Sequence, residues 1–428
     1  MKKVLIVTFT YLWHPAFNQR MKGLAKYLPE FGWQPIILTS SVGKKLSPQF
    51  RVIETPYRDI LGFWKKLFGF NLEEDTRRQV DTRFSVASKN RLVDFIFTRI
   101  GEIVGYPDLD RGWKPFAVKA GSEFLRKESI EAVLSSSMPV ITHLIAMELK
   151  AKYGIPWLAD LRDLWTAKPN YPYGSLRKLI DRRLEIKSLS SADALTVISQ
   201  PAAERMGELH KGKPIYIIPN GFDPVEINSP PANLTVKFTI TYTGSIYTRH
   251  QETARFFTAL RDLISDGIMN PTEVEIRFYG LSVKWLEREI SDYGLSDIIK
   301  QYGVVPREIA MEKQRESQLL LFLKWEDRQE RGAYTGKIFE YLAARRPILA
   351  TGGFNDVVNE LLYKTKAGIC APTVEDIKNT LKKQYQEYKL TGELAYQGEE
   401  SELNAYSHRG MARKFAEVLD QLITPSAE

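Results

Sequence analysis

Short apolar runs that alternate with segments of helical period restrict the fold of this chain more than any other feature. VLIVTF (4–9) is followed by Met21, Leu24, Ala25 and Leu28 at helical spacing and then by WQPIILTS (33–40), which is a strand, helix, strand unit. The pattern resumes with EAVLSSS (131–137), a helix from about Val140 to Lys152, IPWLAD (155–160) and ADALTVIS (192–199). Strands that are apolar almost throughout need cover on both faces, as in a parallel sheet flanked by helices. After IPNGFDPVEINSPPANLT (218–235), where proline, asparagine and glycine favour turns, a second series begins. It runs KFTITYTG, a helix around Glu252 to Ser265, EVEIRFYG, a helix, IIKQYGVV, QLLLFLKW, a helix, RPILATGG and KAGICAP.

The expected fold class is therefore α/β, with two Rossmann-like domains facing across a cleft. The first spans 1–205 and the second 206–404, while the amphipathic segment 405–428 returns to the first. An insertion at about 57–121 interrupts the first domain. In it Ile60, Phe63, Trp64, Leu67 and Phe68 fall on one helical face with Lys65 and Lys66 off it. Such a stripe either packs on its own domain or lies on a membrane surface.

A length of 428 residues and 43% hydrophobic content suit two globular cores. The single Cys370 forms no internal disulfide, and five scattered histidines show no zinc spacing. No segment has the ~20 apolar residues needed to span a bilayer, and the opening run lacks a cleavage site. A reducing, cytoplasmic setting is expected. The net charge of +8 favours anionic partners. Charge is the only feature that points to nucleic acid, which is not expected as a partner.

Ligands of parallel sheets bind at the carboxyl ends of strands. In AYTGKIFEYLAARRPILATGG (333–353), Thr335 suits a helix N-cap and Gly336 lets a ligand approach the first free amides. Lys337 adds a full charge, and Glu340 lies one turn further on, where its carboxylate suits a ribose diol. The stretch is not a phosphate-binding P-loop, because its glycine spacing is one residue short and no Ser or Thr follows the lysine. The alternative is a capped helix with surface charges.

Together with YIIPNGFDP, ITYTGSIY and FNQRMKGLAKYLPEFGWQPIILTS, this segment resembles the retaining family 4 glycosyltransferases of the GT-B fold, the bacterial surface-polysaccharide type in particular. The resemblance implies that Glu340 holds the nucleotide ribose and that Lys337 sits near the diphosphate. Gly244, Ser245 and Arg249 belong to the loop that approaches the donor phosphates. Val304 lies where the base pairs with backbone groups, and Lys324 counts with the donor-binding set. His143, in SSSMPVITH, matches a histidine that reaches the donor sugar, and Asp160 is expected to act with it. Asn18, Arg20, Arg162 and Asp163 are placed on the acceptor side. For Asp160, Arg162 and Asp163 a buried salt-bridge network remains the alternative.

The implied activity moves a hexose or similar sugar from a UDP- or GDP-linked donor to a lipid-linked or polysaccharide acceptor with retention, at the inner face of the cell membrane. No cofactor and no metal are expected. The Asp108–Asp110 pair resembles a metal-binding D-x-D but lies in the insertion, not after a core strand. Two departures stand out. Gly332 occupies the place where the family carries a glutamate, with Glu330 nearby, and the first loop, YLWHPAFNQR, lacks the family's glycine pair. A non-catalytic partner protein and a sugar-nucleotide epimerase therefore stay open. A nicotinamide oxidoreductase does not, since no strand is followed by the required glycine fingerprint.

Overall fold

The computed structural model describes residues 1–9, 11, 18–41, 50–60, 105–227, 233–246 and 252–424. Arg249 and most of the insertion, including the basic aromatic segment after Ile60, lie outside them. The chain divides into two compact units, Met1–Ile218 with Ala412–Glu428, and Pro219–Met411.

In the first unit the described elements are β1 (Lys2–Val7), α1 (Gln19–Tyr27), β2 (Trp33–Ser40), β3 (Arg51–Thr55), α2 (Lys114–Lys127), β4 (Ala132–Ser137), α3 (Ile141–Tyr153), β5 (Trp157–Leu161), α4 (Ser175–Leu189), β6 (Ala194–Val197), α5 (Gln200–Leu209) and β7 (Ile215–Ile217). The strands pair in parallel in the order β3-β2-β1-β4-β5-β6-β7. Every residue of β4, β5 and β6 is buried, as central strands covered on both faces require, the charged Asp160 of β5 included. The two edge strands carry weaker sequence signals. β3 is half-exposed and β7 is three residues long. Because β7 extends the first sheet, this unit runs to Ile218 and does not end at 205.

The second unit contains α6 (Pro224–Ile227), β8 (Phe238–Thr243), α7 (Ala254–Ser265), β9 (Val274–Tyr279), α8 (Lys284–Asp292), β10 (Ile299–Gly303), α9 (Arg307–Arg315), β11 (Leu319–Leu323), α10 (Gly336–Ala344), β12 (Ile348–Thr351), α11 (Val357–Thr365), β13 (Gly368–Ala371), α12 (Val374–Thr391) and α13 (Glu400–Asn404). Its parallel sheet has the order β10-β9-β8-β11-β12-β13. One face packs on Phe256, Phe257, Leu260 and Ile377, the other on Ile338, Tyr341, Leu342 and Leu361. The last helix, α14 (His408–Ile423), begins in this unit, and from Ala412 onward the chain belongs to the first. There Asp420 accepts from Lys2 Nζ at 2.6 Å and from Trp33 Nε1 at 2.9 Å.

In each sheet the strand order reverses once, between β1 and β4 and between β8 and β11, while all strands stay parallel. Such switch points open a crevice at the carboxyl ends of the strands. In the second unit that crevice falls between the loop after β8 and the segment leading from β11 into α10.

Candidate functional site

The start of α10 meets the ends of two strands. Gly244 follows β8 at a φ of 107°, donates its amide to Tyr279 O at 2.7 Å and stands beside Lys337, whose Nζ would lie 3.3 Å from a Cβ at Gly244. Gly280 follows β9 so closely that a Cβ there would meet Gly244 O at 2.3 Å. Only glycine fits both positions.

Lys337 lies with its Nζ 4.0 Å from the centre of the Tyr242 ring and donates to the Tyr242 hydroxyl. Burial pushes its ammonium down to about 7, and the Glu340 carboxylate only partly restores it. Thr335 is extended at the N-cap position, yet its side chain makes no cap bond, and its Oγ1 is buried with no hydrogen-bond partner. Gly336 has nothing within 4 Å of where a Cβ would stand. The first turn of α10 thus lacks a side-chain cap and has open space at Gly336 beside a cation, an arrangement suited to an anion.

Glu340 is engaged from the other side. Arg307 Nε donates to Glu340 Oε1 at 3.0 Å, while Arg307 Nη1 lies 2.9 Å from Glu226 Oε1. Ser245 is half-buried, and its carbonyl accepts from the Tyr242 hydroxyl at 2.9 Å. Val304 is exposed just beyond β10, beside Tyr302, which stacks on Tyr279 at 4.9 Å. Sequence reasoning missed Tyr242, Arg307 and Glu226. Tyr242 reads as an ordinary strand residue, and the arginine and its glutamates come from helices far apart in the chain.

Lys324 requires a correction. It does not face a donor, because it is buried against Asp356 at 3.3 Å and donates to Phe354 O and Asn359 Oδ1, tying β11 to the start of α11.

Several expectations in the first unit are also corrected. Asp160 is fully buried, with Oδ1 taking Arg20 Nη2 at 2.9 Å and Thr196 Oγ1 at 2.7 Å, and Oδ2 taking Arg20 Nε at 3.0 Å and Ser136 Oγ at 2.7 Å. These partners hold its carboxyl below the usual range against the opposing effect of burial. Arg20 further donates to Ile218 O at 2.9 Å and lies over the Phe415 ring at 5.0 Å. The pair is a buried tie joining α1, β5, the end of β7 and α14, not a reacting group with its acceptor contact. Asn18, also buried, donates to Thr8 Oγ1 at 2.6 Å.

His143 does not reach the surface either. Its Nδ1 lies 2.8 Å from Ser135 Oγ, which accepts from Trp157 Nε1 at 2.8 Å, and its Nε2 is buried without a partner. Burial pushes the imidazole down to about 4, so it is neutral at pH 7. Arg162 and Asp163 stay partly exposed beyond β5, 3.5 Å apart.

Asp108 accepts from the backbone amides of Ile141 at 2.7 Å and Asp110 at 2.9 Å, so it caps local structure. Among the described residues no group of three or more His, Cys, Asp or Glu is placed to share a metal ion.

A model of the family described as Glycosyltransferase Family 4 matches residues 84–226. No curated protein matches the chain in sequence. Among solved structures, a glycosyltransferase from Rickettsia africae ESF-5 is 16% identical, with 99% of each chain covered and a TM-score of 0.61. Anabaena Alr3699/HepE, solved in complex with UDP and glucose, is 12% identical over 98% of this chain and 100% of its own, with a TM-score of 0.61. A UDP-forming alpha,alpha-trehalose-phosphate synthase from Burkholderia xenovorans is 10% identical over 98% and 100%, with a TM-score of 0.56. At such identities the likeness is one of fold. The chain is a two-domain protein of the GT-B fold, and its residues 84–226 match the model of Glycosyltransferase Family 4.

Proposed function

We propose that the chain is a glycosyltransferase that moves a sugar from a nucleoside-diphosphate sugar to a polysaccharide or lipid-linked acceptor, with retention of anomeric configuration. The observation that carries this reading is the start of α10. There the uncapped helix amides, the orphaned Thr335 Oγ1 and the Lys337 ammonium converge beside Gly244 and Gly280. A diphosphate satisfies all of them at once, and Glu340 stands one turn away for the ribose. The anion would also restore the full charge of Lys337.

In the transfer, the bond from the anomeric carbon to the phosphate oxygen breaks and a bond to the acceptor hydroxyl forms on the same face. The departing diphosphate takes the hydroxyl proton. The α10 amides and Lys337 stabilise the charge that develops on it, the part a metal ion plays in other transferases. The complexes of Alr3699/HepE with UDP and with UDP-glucose support a uridine donor, with GDP as the alternative. Exposed Arg162 and Asp163 remain the acceptor-side candidates. A lipid-linked acceptor and a place at the inner membrane face rest on the sequence resemblance.

Thermal unfolding with UDP, GDP, NAD and the matching nucleotide sugars tests the donor. A ligand at about 100 times its Kd adds roughly 2.7 kcal/mol, and Lys337→Ala should lose most of that gain. Stabilisation by NAD alone, or by none of these, overturns the reading. Because Gly332 stands where a glutamate is expected, nucleotide-sugar binding without release of diphosphate to any acceptor would favour the non-catalytic alternative. Conversion of the sugar with no acceptor present would favour the epimerase. The anomer of the product decides retention.

A further inference from the structure

We propose that the outward face of α4 docks the chain on an anionic lipid surface, an inference that does not depend on the sugar-transfer reading. In this helix Leu176 is 68% exposed, Leu179 47%, Ile180 41% and Ile186 40%. Every other described helix exposes at most one large apolar side chain. At ~100° per residue the four fall in one arc, and Arg183 and Lys187 fall in it with them, both exposed.

The opposite face explains why the outward one carries no negative charge. Asp181 is buried and accepts from Arg177 Nε at 2.9 Å and from the Tyr171 hydroxyl. Glu185 is buried and accepts from the Thr166 amide at 3.0 Å and from its hydroxyl. These are the only acids in the helix, and both are bound inward. Arg177 is likewise inward, donating to Pro107 O at 3.0 Å and stacking 4.7 Å from the Tyr173 ring centre. The helix is thereby fixed to its unit by an ionic and aromatic seam on one side. It shows solvent only aliphatic tips and cations on the other.

That chemistry selects the occupant. A second copy related by two-fold symmetry would set Arg183 and Lys187 against their own equivalents, with no exposed acid on the helix to answer them. A bilayer bearing anionic headgroups satisfies both features: the leucine and isoleucine tips enter the acyl boundary, while the long stems of Arg183 and Lys187 reach back to phosphate. No described helix is long and apolar enough to cross a membrane, so the contact is one of lying on the surface.

Co-sedimentation of the full chain with phosphatidylcholine vesicles, with and without phosphatidylglycerol, is the test. Binding should require phosphatidylglycerol and weaken with salt. Arg183→Glu/Lys187→Glu should reduce it roughly tenfold or more. Leu179→Ser/Ile180→Ser should also weaken it while leaving the salt dependence in place. All four side chains are outside the core, so both variants should unfold at the wild-type temperature. The proposal is overturned if phosphatidylglycerol vesicles do not bind the chain, or if both variants bind as wild type does, which would put the contact elsewhere. It is equally overturned if the chain is a dimer in solution that either variant dissociates, since a second copy would then cover the face.

Discussion

Lys337 and His143 are both titratable groups forced toward neutrality by burial, and they respond to pH in different ways. The Lys337 ammonium, held at about 7 without ligand, is restored when a diphosphate sits beside it. Binding above pH 7 therefore takes up a proton, and affinity should fall as pH rises from 7 toward 9. Titration calorimetry in buffers of different ionisation enthalpy reads that proton directly, and Lys337→Arg should abolish the uptake. His143 is a base whose folded value, about 4, lies below its unfolded one. The unfolded chain binds the proton first, so stability is fully present above pH 6.5 and is lost as pH falls toward 4. The difference amounts to at most about 3 kcal/mol, and urea melts of His143→Gln should show a flatter profile across that window. For both residues the sequence named the side chain, but it could not say how much water the fold leaves around it. Asp160 illustrates the same limit: ADLRD places it at a strand end, and only the arrival of Arg20, Ser136 and Thr196 makes it a buried ion pair.

At the scale of elements, the candidate site depends on the loops after β8 and β9 and on the first turn of α10. Two glycines there separate folding from binding. Gly280→Ala meets the Gly244 carbonyl and adopts a φ of 156° that L residues avoid, so it should lower Tm and misplace the Gly244 loop together. Gly336→Ala meets nothing and sits at a helical position. It should leave Tm unchanged or slightly raised, since alanine favours a helix by up to about 1 kcal/mol over glycine. Its methyl group occupies the space the anion needs, so nucleotide affinity should drop. Differential scanning fluorimetry with and without UDP measures both effects in one plate. Strand and helix types were legible here because period and uniform apolarity follow from burial on two faces. The short β7 was not, since three residues carry no period, and so the first unit reaches further along the chain than its composition suggests.

The whole molecule consists of two units, each with its own sheet and core, and the proposed nucleotide contacts all lie in the second. UDP should accordingly slow hydrogen exchange in β8, the Gly280 turn and the first turns of α10, while β4 and α3 exchange at unchanged rates. Protection that appears first in β4 and α3 would show that the nucleotide binds elsewhere. The sequence by itself determined the α/β class, the parallel strands and the glycine, lysine and glutamate at the head of α10, but not that the first unit runs on to Ile218. Those features are written in local period, turn chemistry and helix-start preference, which act over a few neighbouring residues. Only the tertiary structure decided which polar side chains are spent inside the fold and which remain to meet a ligand. Arg20 and Asp160 are 140 positions apart, and Arg307 and Glu340 are 33 apart. A buried charge must find its partner wherever the packing brings one, and no local pattern announces that choice.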